Sequence, residues 1–271
     1  LLARSVAAIP GEVLVAWRLA HGPRSFARLA VDVFLYRLLR LGTRFGGRRR
    51  RVQLRDGAVL HYRLDRGDIR TIREVWSDEV YLLPPPAGPR TLVDLGANIG
   101  LASVWLARRY GCDHVLAVEP WPANAQVARL NLEANGLPAE LVEAAVGPAT
   151  GPGHLDHAAA AAERDSALAR LGDSGLPVQV LSIRDILERL PGGRTPDLVK
   201  IDVEGAEDHL LTGDLTWLAD VKVVVAELHC HMVDCEALIA NLRSAGLPPV
   251  RIDREASGNL LLGVFARPAG H

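Results

Sequence analysis

Four short segments set acids, a lysine, histidines and glycines where apolar runs end, and each arrangement suits a particular chemistry. The first is Val93-Asp94-Leu95-Gly96-Ala97-Asn98-Ile99-Gly100. An apolar strand ends there in a glycine turn that opens a helix, and glycines suit a backbone that a ligand must approach closely. The spacing Gly96-x-Asn98-x-Gly100 departs from the GxGxxG dinucleotide fingerprint, so this helix start is not built for a pyrophosphate. Taken alone, such a turn is equally an ordinary strand-to-helix joint. The second segment is Val118-Glu119-Pro120, with Glu119 lying 19 residues after Gly100. An acid at the tip of a second strand accepts both hydroxyls of a ribose. Its plainer role is to cap a helix that starts near Pro122.

The third segment is Asp197-Leu198-Val199-Lys200-Ile201-Asp202-Val203-Glu204-Gly205-Ala206-Glu207. Lys200 and Asp202 share parity on an otherwise apolar strand, and a buried lysine requires a carboxylate partner. Asp202 falls at the carboxyl end of the strand, where open α/β sheets bind ligands. Glu204 and Glu207 fall in the first turn of the next helix, where capping and dipole complementation account for an acid, above all for Glu207. The fourth segment is Val223-Val224-Val225-Ala226-Glu227-Leu228-His229-Cys230-His231. Glu227, His229 and His231 share parity, and one of the three is expected to partner Lys200. His229 lies at the same sheet edge as Asp202, whereas Cys230 and His231 read as loop or packing residues.

These groups need a scaffold that brings strand ends together. Strand-like runs occur at 91–95, 115–119, 141–144, 198–202, 221–228, 249–252 and 260–265, with helical runs at 100–110, 122–135, 183–190, 205–212 and 233–245. Pro122 opens one helix and Gly136 follows it, as capping rules expect. The alternation implies an α/β fold with a mostly parallel sheet covered on both faces. Upstream, residues 1–45 read as helices carrying an apolar stripe of Phe26, Leu29, Ala30, Val33, Phe34, Leu38 and Leu41. A hairpin over 51–64 turns at Asp56-Gly57, a short helix follows around 68–80, and a stiff proline run at 84–89 marks a domain boundary. The organisation expected is a basic helical arm or lid (1–50), a hairpin, short helix and Pro-rich linker (51–89), and a cofactor-binding domain (90–271). The alanine-rich run at 158–162 reads as a short helix or loop in a surface insertion.

Composition removes several classes. Of the 271 residues 49% are hydrophobic and 23% charged, which excludes a disordered chain. No charge-free apolar stretch is long enough for a spanning helix, and no signal-peptide pattern is present. Three cysteines exclude a disulfide scaffold, form no CxxC pair and suit a reducing cytoplasm. The net charge of −1 hides an asymmetry: residues 1–55 hold 12 Arg against two acids, and the remainder carries a net −11. That basic segment suits a lid or a homodimer arm, or else a surface anchor for anionic lipid. No nucleic-acid partner is expected, because the remainder is acidic, aromatics are 5% and no Asn-Pro-Pro-Tyr tetrapeptide is present.

The motifs resemble the FkbM-type family of S-adenosylmethionine-dependent methyltransferases. The matching strings are VDLGANIG at 93–100, VEP at 118–120, AVG at 145–147, VKIDVEGAE at 199–207 and VVVAELH at 223–229. REVWSDEVY at 73–81 resembles the short helix that precedes the family's core, and the likeness covers about residues 52–265. It implies a Rossmann-like methyltransferase fold with a mostly parallel seven-stranded sheet and an antiparallel last strand. It also implies S-adenosylmethionine as cofactor and methyl transfer, usually to oxygen, on natural products, sugars or lipid-linked glycans. By position, Asp94, Gly96, Asn98 and Gly100 would contact the methionine end of the cofactor, Glu119 the ribose, and Glu143 would lie near the adenine, with Asp202 at the cofactor's mouth. The chain departs from the family's pattern at Pro148, where an acid is common, and at Ile183-Arg184-Asp185, where Ser182 or Asp185 is left to cap the helix.

Methyl transfer is an in-line displacement that gains most from alignment, and a hydroxyl acceptor also needs a base or a metal. Asp202 and His229 are the candidates for proton removal, His229 because an ordinary imidazole titrates near neutrality. In the alternative, Asp202, Glu204, Glu227 and His229 hold Mg²⁺. Their spacing carries no metal signature, so the metal-free version is favoured and no ligand is assigned. The reading is O-methylation of a small-molecule acceptor. Its rivals are N-methylation, a nicotinamide-dependent oxidoreductase, and a non-catalytic binding protein on the same fold.

Overall fold

A computed structural model describes residues 9–38, 48–64, 67–84, 88–156 and 170–268. Two helices come first, α1 (Ile9–Leu19) and α2 (Gly22–Leu38). They precede an antiparallel hairpin of β1 (Arg49–Gln53) and β2 (Val59–Arg63) and the helix α3 (Asp68–Trp76). The hairpin turns where expected: Gly57 takes φ 88°, and the Asp56 carboxylate accepts from the Ala58 N–H at 2.9 Å and from the Trp76 indole at 2.9 Å. Alternating elements follow: β3 (Thr91–Leu95), α4 (Leu101–Tyr110), β4 (His114–Val118), α5 (Pro122–Ala134) and β5 (Ala139–Val142). After an insertion the alternation resumes with α6 (Ile183–Leu187), β10 (Leu198–Ile201), α7 (Glu207–Leu211), β11 (Val223–His229) and α8 (Cys235–Ser244). The chain ends in β12 (Pro249–Arg254) and β13 (Leu260–Ala266). The inserted strands are β6 (Ala145–Val146), β7 (Gly151–Asp156), β8 (Arg170–Gly172) and β9 (Leu176–Leu181).

All seven expected strands join one sheet in the order β12-β13-β11-β10-β3-β4-β5. β11, β10, β3, β4 and β5 run parallel, and β13 is antiparallel to both of its neighbours. From β3 the chain builds outward to β4 and β5, then returns to the other side of β3 for β10 and β11. The reversal falls between β3 and β10, and a crevice outside the carboxyl ends of such strands is where open α/β sheets bind ligands.

The sheet is apolar on both faces because both are covered. Leu92, Val115, Ala117, Leu198 and Val225 face one core, and Val93, Leu95, Leu116, Val118, Val199, Ile201 and Val224 face the other. The first core also holds Ala16, Leu29 and Val33 from α1 and α2, Leu60 and Tyr62 from the hairpin, and Ile72 from α3. On the expected stripe of α2, Leu29 and Val33 are buried while Phe34 is 46% exposed. The side chain of Leu38, and Leu41, lie outside the described residues.

The sequence reading placed no strand between 145 and 181, yet β6, β9, β7 and β8 form a second sheet of four strands in that order. Gly151, Pro152, Gly153 and Pro177 interrupt its apolar alternation, which is why the period-2 signal is weak. The alanine run at 158–162 lies outside the described residues. Ser182 caps α6 by accepting from the Asp185 N–H at 3.2 Å. Among the described residues, no helix is long and apolar enough to cross a membrane. The cysteines build no scaffold, but Cys230 and Cys235 are joined in a disulfide, while Cys112 is free and buried. Cys230 lies in the turn after β11 and packs against the second core, as expected, and the disulfide is an addition to that reading. A disulfide suits an oxidising setting better than a reducing one, so the cysteines no longer argue for the cytoplasm.

Asn131 and Asn135 on α5 stitch the hairpin to the core. The Asn131 amide accepts from the His61 N–H at 2.6 Å and donates to the His61 and Ile99 carbonyls at 3.0 and 2.7 Å. Asn135 pairs in the same way with both backbone groups of Val59, at 3.0 and 2.8 Å. Asn131 is fully buried, so removing its amide strands a backbone donor and two carbonyls. Asn131→Ala is expected to lower stability by about 1–3 kcal/mol, to be read as a lower urea midpoint at unchanged slope.

Candidate active site

The tip of β3 is shaped first by chain packing. Gly96 takes φ 79°, and a Cβ there would stand 1.8 Å from the Asp202 carbonyl oxygen. At Gly100 (φ 75°) a Cβ would stand 3.3 Å from the Cα of Ala128. At both positions neighbouring chain takes the space that a side chain would need. Between them Asn98 takes φ 50° and donates its N–H to Glu119 Oε2 at 2.8 Å. Its side-chain Oδ1 is buried without a hydrogen-bond partner.

Lys200, 2% exposed, sits opposite Asp94 in the β10–β3 register. Its ammonium donates to the Gly96 carbonyl at 2.7 Å and pairs with Asp202 Oδ2 at 3.2 Å and Asp94 Oδ1 at 3.3 Å. Burial disfavours this charge, but Asp202, Asp94 and Glu227 outweigh burial and raise its pKa. The partners of Lys200 are therefore the acids of its own strand end and of β3. None of Glu227, His229 and His231 pairs with it directly, which corrects that expectation. Asp94 has no exposed surface; its second oxygen accepts from Ser103 Oγ at 2.5 Å.

Glu119 ends β4 and is also buried. Besides Asn98, it accepts from the Trp121 N–H at 2.9 Å and the Asn124 amide at 3.2 Å. Burial outweighs these bonds and pushes its pKa up to about 7. Glu143 follows β5, exposed, at the same sheet edge: the Glu119 N–H donates to the carbonyl of its neighbour Val142 at 3.0 Å.

His229 ends β11 with only 8% exposure. Its Nδ1 meets Glu207, and its Nε2 lies 3.3 Å from Glu204 Oε2. With a carboxylate at each nitrogen the ring is held as the cation. Burial alone would lower its pKa, but Glu204 and Glu207 raise it to about 11. The expectation of a neutral base near pH 7 is therefore corrected. Glu207 is fully buried on this ring, so it is more than a surface cap for α7. Ligand-type atoms of Asp202, Glu204 and His229 all lie within 4.8 Å of one another. His231 is exposed, its ring edge-to-face with that of His229 at 6.2 Å between centroids and its Nδ1 3.4 Å from the Asn259 carbonyl.

Sequence reasoning missed Tyr81. Its hydroxyl donates to the half-buried Glu227 at 2.5 Å, and desolvation, then the Asp202 charge, push Glu227 up to about 7. The only signal was that Tyr81 closes the REVWSDEVY string. Asp94, Gly96, Asn98, Glu119, Asp202 and His229 thus gather at one edge of the sheet, and Glu143 joins them by strand position alone.

Residues 94–247 match the methyltransferase FkbM domain. The chain belongs to this family. The FkbM chain is 27% identical over 180 residues to Methyltransferase 1 of Beauveria bassiana, a match covering 56% of this chain and 70% of that protein. Methyltransferase sdnD of Sordaria araneosa is 28% identical over 173 residues, 52% of this chain and 66% of its own length. The AMB antimetabolite synthetase AmbE of Pseudomonas aeruginosa is 33% identical over 203 residues, 58% of this chain and 9% of its own length. The crystal structure of methyltransferase FkbM from Methylobacillus flagellatus KT superposes with a TM-score of 0.50 at 14% identity, covering 97% of this chain and 60% of that one. The fold is thus the Rossmann-like methyltransferase fold, and the protein is a methyltransferase.

Two outcomes follow from the buried charges. Lys200→Met leaves Asp94 buried without its counter-charge and is expected to destabilise the fold by about 3–5 kcal/mol, measured by chemical unfolding. Glu119 has a folded pKa near 7 against an ordinary 4.5. Its protonation therefore stabilises the native state fully below about 4.5, and that contribution is lost as pH rises through 7. Measured between pH 4.5 and 7.5, Glu119→Gln should gain stability relative to wild type as pH rises. A constant difference across that window would contradict the assignment.

Proposed function

We propose that this methyltransferase uses S-adenosylmethionine and methylates a hydroxyl oxygen of a small molecule of the natural-product or sugar class. The observation that carries the reading is the pair Asn98 and Glu119. Asn98 brings a buried oxygen without a partner, Glu119 a buried carboxylate, and both stand at strand tips beside the sheet's reversal point. The cofactor presents donors at both ends, an ammonium and a ribose diol, so a site of acceptors fits it. Asn98 and the turn from Gly96 to Gly100 would hold the methionine end, Glu119 the ribose, and Glu143 would border the adenine. Asp94 has no accessible atom and acts here by anchoring Lys200. When bound, the cofactor supplies an electrophilic methyl group on a positively charged sulfur.

The chain's own work is alignment and proton removal. Asp202, whose side chain is 25% exposed, is the more open of the two carboxylates that Lys200 holds, and it is the proposed proton acceptor. Lys200 and the Gly96 carbonyl fix its position. The His229 cation does not accept a proton in this reading; it positions Glu204 beside Asp202. A hydroxyl, unlike a neutral amine, must lose its proton to attack efficiently, so a carboxylate at the mouth supports oxygen over nitrogen as acceptor. The small-molecule class is supported by one relative's name, that of an antimetabolite synthetase.

Calorimetry with S-adenosylhomocysteine tests the cofactor half. Glu119→Ala should weaken binding by about 1–3 kcal/mol through loss of a charged acceptor, and Asn98→Gly should weaken it without straining the turn. Equal affinity in wild type and both variants would sink the assignment. For the chemical half, Asp202→Asn should slow S-adenosylhomocysteine formation by about 10²–10⁴-fold on whichever hydroxylated acceptor the wild type turns over.

A further inference from the structure

We infer that Asp202, Glu204 and His229 bind one first-row divalent transition-metal ion, with Glu207 buttressing the histidine from behind. The three residues come from the ends of β10 and β11 and from the turn before α7. No sequence spacing announces them, because the fold assembles the set. Their ligand atoms lie within 4.8 Å of one another. Ligands bound at about 2.0–2.2 Å stand roughly 3–4 Å apart around one ion, so side-chain adjustment alone closes the set.

The independent observation is Glu207. It is fully buried and engages Nδ1 of His229, and its other oxygen, Oε2, is buried without a hydrogen-bond partner. A carboxylate on the far nitrogen of an imidazole fixes the tautomer whose Nε2 faces outward, the arrangement that metal-bound histidines almost always show. Nε2 faces Glu204 Oε2 at 3.3 Å. Glu204 reaches the set from a left-handed backbone, φ 42°, which is uncommon for a residue with a side chain.

Charge points the same way. Asp94, Asp202, Glu204, Glu207 and Glu227 converge at this edge against Lys200 and His229. A bound divalent cation reduces that excess. An imidazole nitrogen with two carboxylates suits manganese, iron or zinc better than magnesium, which prefers oxygen ligands and its own waters. Such an ion would lower the pKa of an acceptor hydroxyl. The inference goes beyond methyl-donor binding, and the ion's binding does not depend on it.

Titration of the full chain with Mn²⁺, followed by loss of the free-ion electron paramagnetic resonance signal, should give one saturable site, displaced by Zn²⁺. His229→Gln and Glu204→Gln should each weaken it at least tenfold. Glu207→Gln should weaken it about 10–100-fold through the histidine. Asp208→Asn, altering an exposed acid one residue further on, should leave it unchanged. Circular dichroism verifies that each variant is folded. Absence of saturable binding to the folded wild type overturns the inference, as does equal weakening by Asp208→Asn, which would mean diffuse attraction. Calorimetry with S-adenosylhomocysteine on the same samples separates the two readings: cofactor binding without metal binding sinks only this one, and metal binding without cofactor binding sinks only the methyl-donor assignment.

Discussion

Burying the ammonium of Lys200 between two strand ends constrains this whole edge of the sheet. An unpaired charge in that position costs several kcal/mol, so β10 and β3 must present carboxylates on the same face and in register. Asp94 does so from directly opposite and Asp202 from two residues further along β10. The third contact, to the Gly96 carbonyl, clamps the glycine turn against β10. That clamp brings the Asp202 carbonyl so close that only glycine fits at 96. One ion pair thereby fixes where the turn begins, where Asn98 stands and how far Glu119 lies from Asp202.

A second consequence is the surplus of negative charge. Lys200 neutralises one of several acids, and the others need different solutions. Glu119 and Glu227 are pushed towards neutrality by burial, each to a pKa of about 7. Glu204 and Glu207 share the His229 cation. Tyr81 lends a hydroxyl to Glu227. Sites with such opposed demands on ionisable groups are where charged ligands and proton transfer belong, and the proposed sulfonium cofactor carries the complementary sign.

Much of this was legible in the sequence, for physical reasons. Apolar runs ending in Asp94, Glu119, Asp202 and His229 gave the strands of the main sheet, because a doubly covered parallel strand has no polar residues to spare until its tip. The need of Lys200 for a carboxylate was legible too, but its choice depended on register, which a sequence does not display. His229 failed differently. Its residue type promises a base near neutrality, and only the fold reveals two carboxylates on its two nitrogens. The four-stranded insert was illegible because glycine and proline break its period, and the Cys230–Cys235 bond because five-residue spacing matches no disulfide framework.

The basic N-terminal segment is bound into the same logic. Asp32 on α2 is buried, accepts the Tyr62 hydroxyl at 2.6 Å and faces Arg50 at 3.4 Å. Arg63, the last residue of β2, makes a two-pronged pair with buried Asp68, and its guanidinium reaches Asn124 at 2.9 Å. Asn124 in turn donates to Glu119. A chain of direct polar contacts therefore runs from the hairpin to the acid at the tip of β4. The first core also holds side chains of α1 and α2, so the described part of the basic segment shares the packing of the sheet whose tips it flanks. Any ligand that moves Glu119 must act against this network, and a change in the hairpin is transmitted to Glu119 through two side chains, Arg63 and Asn124.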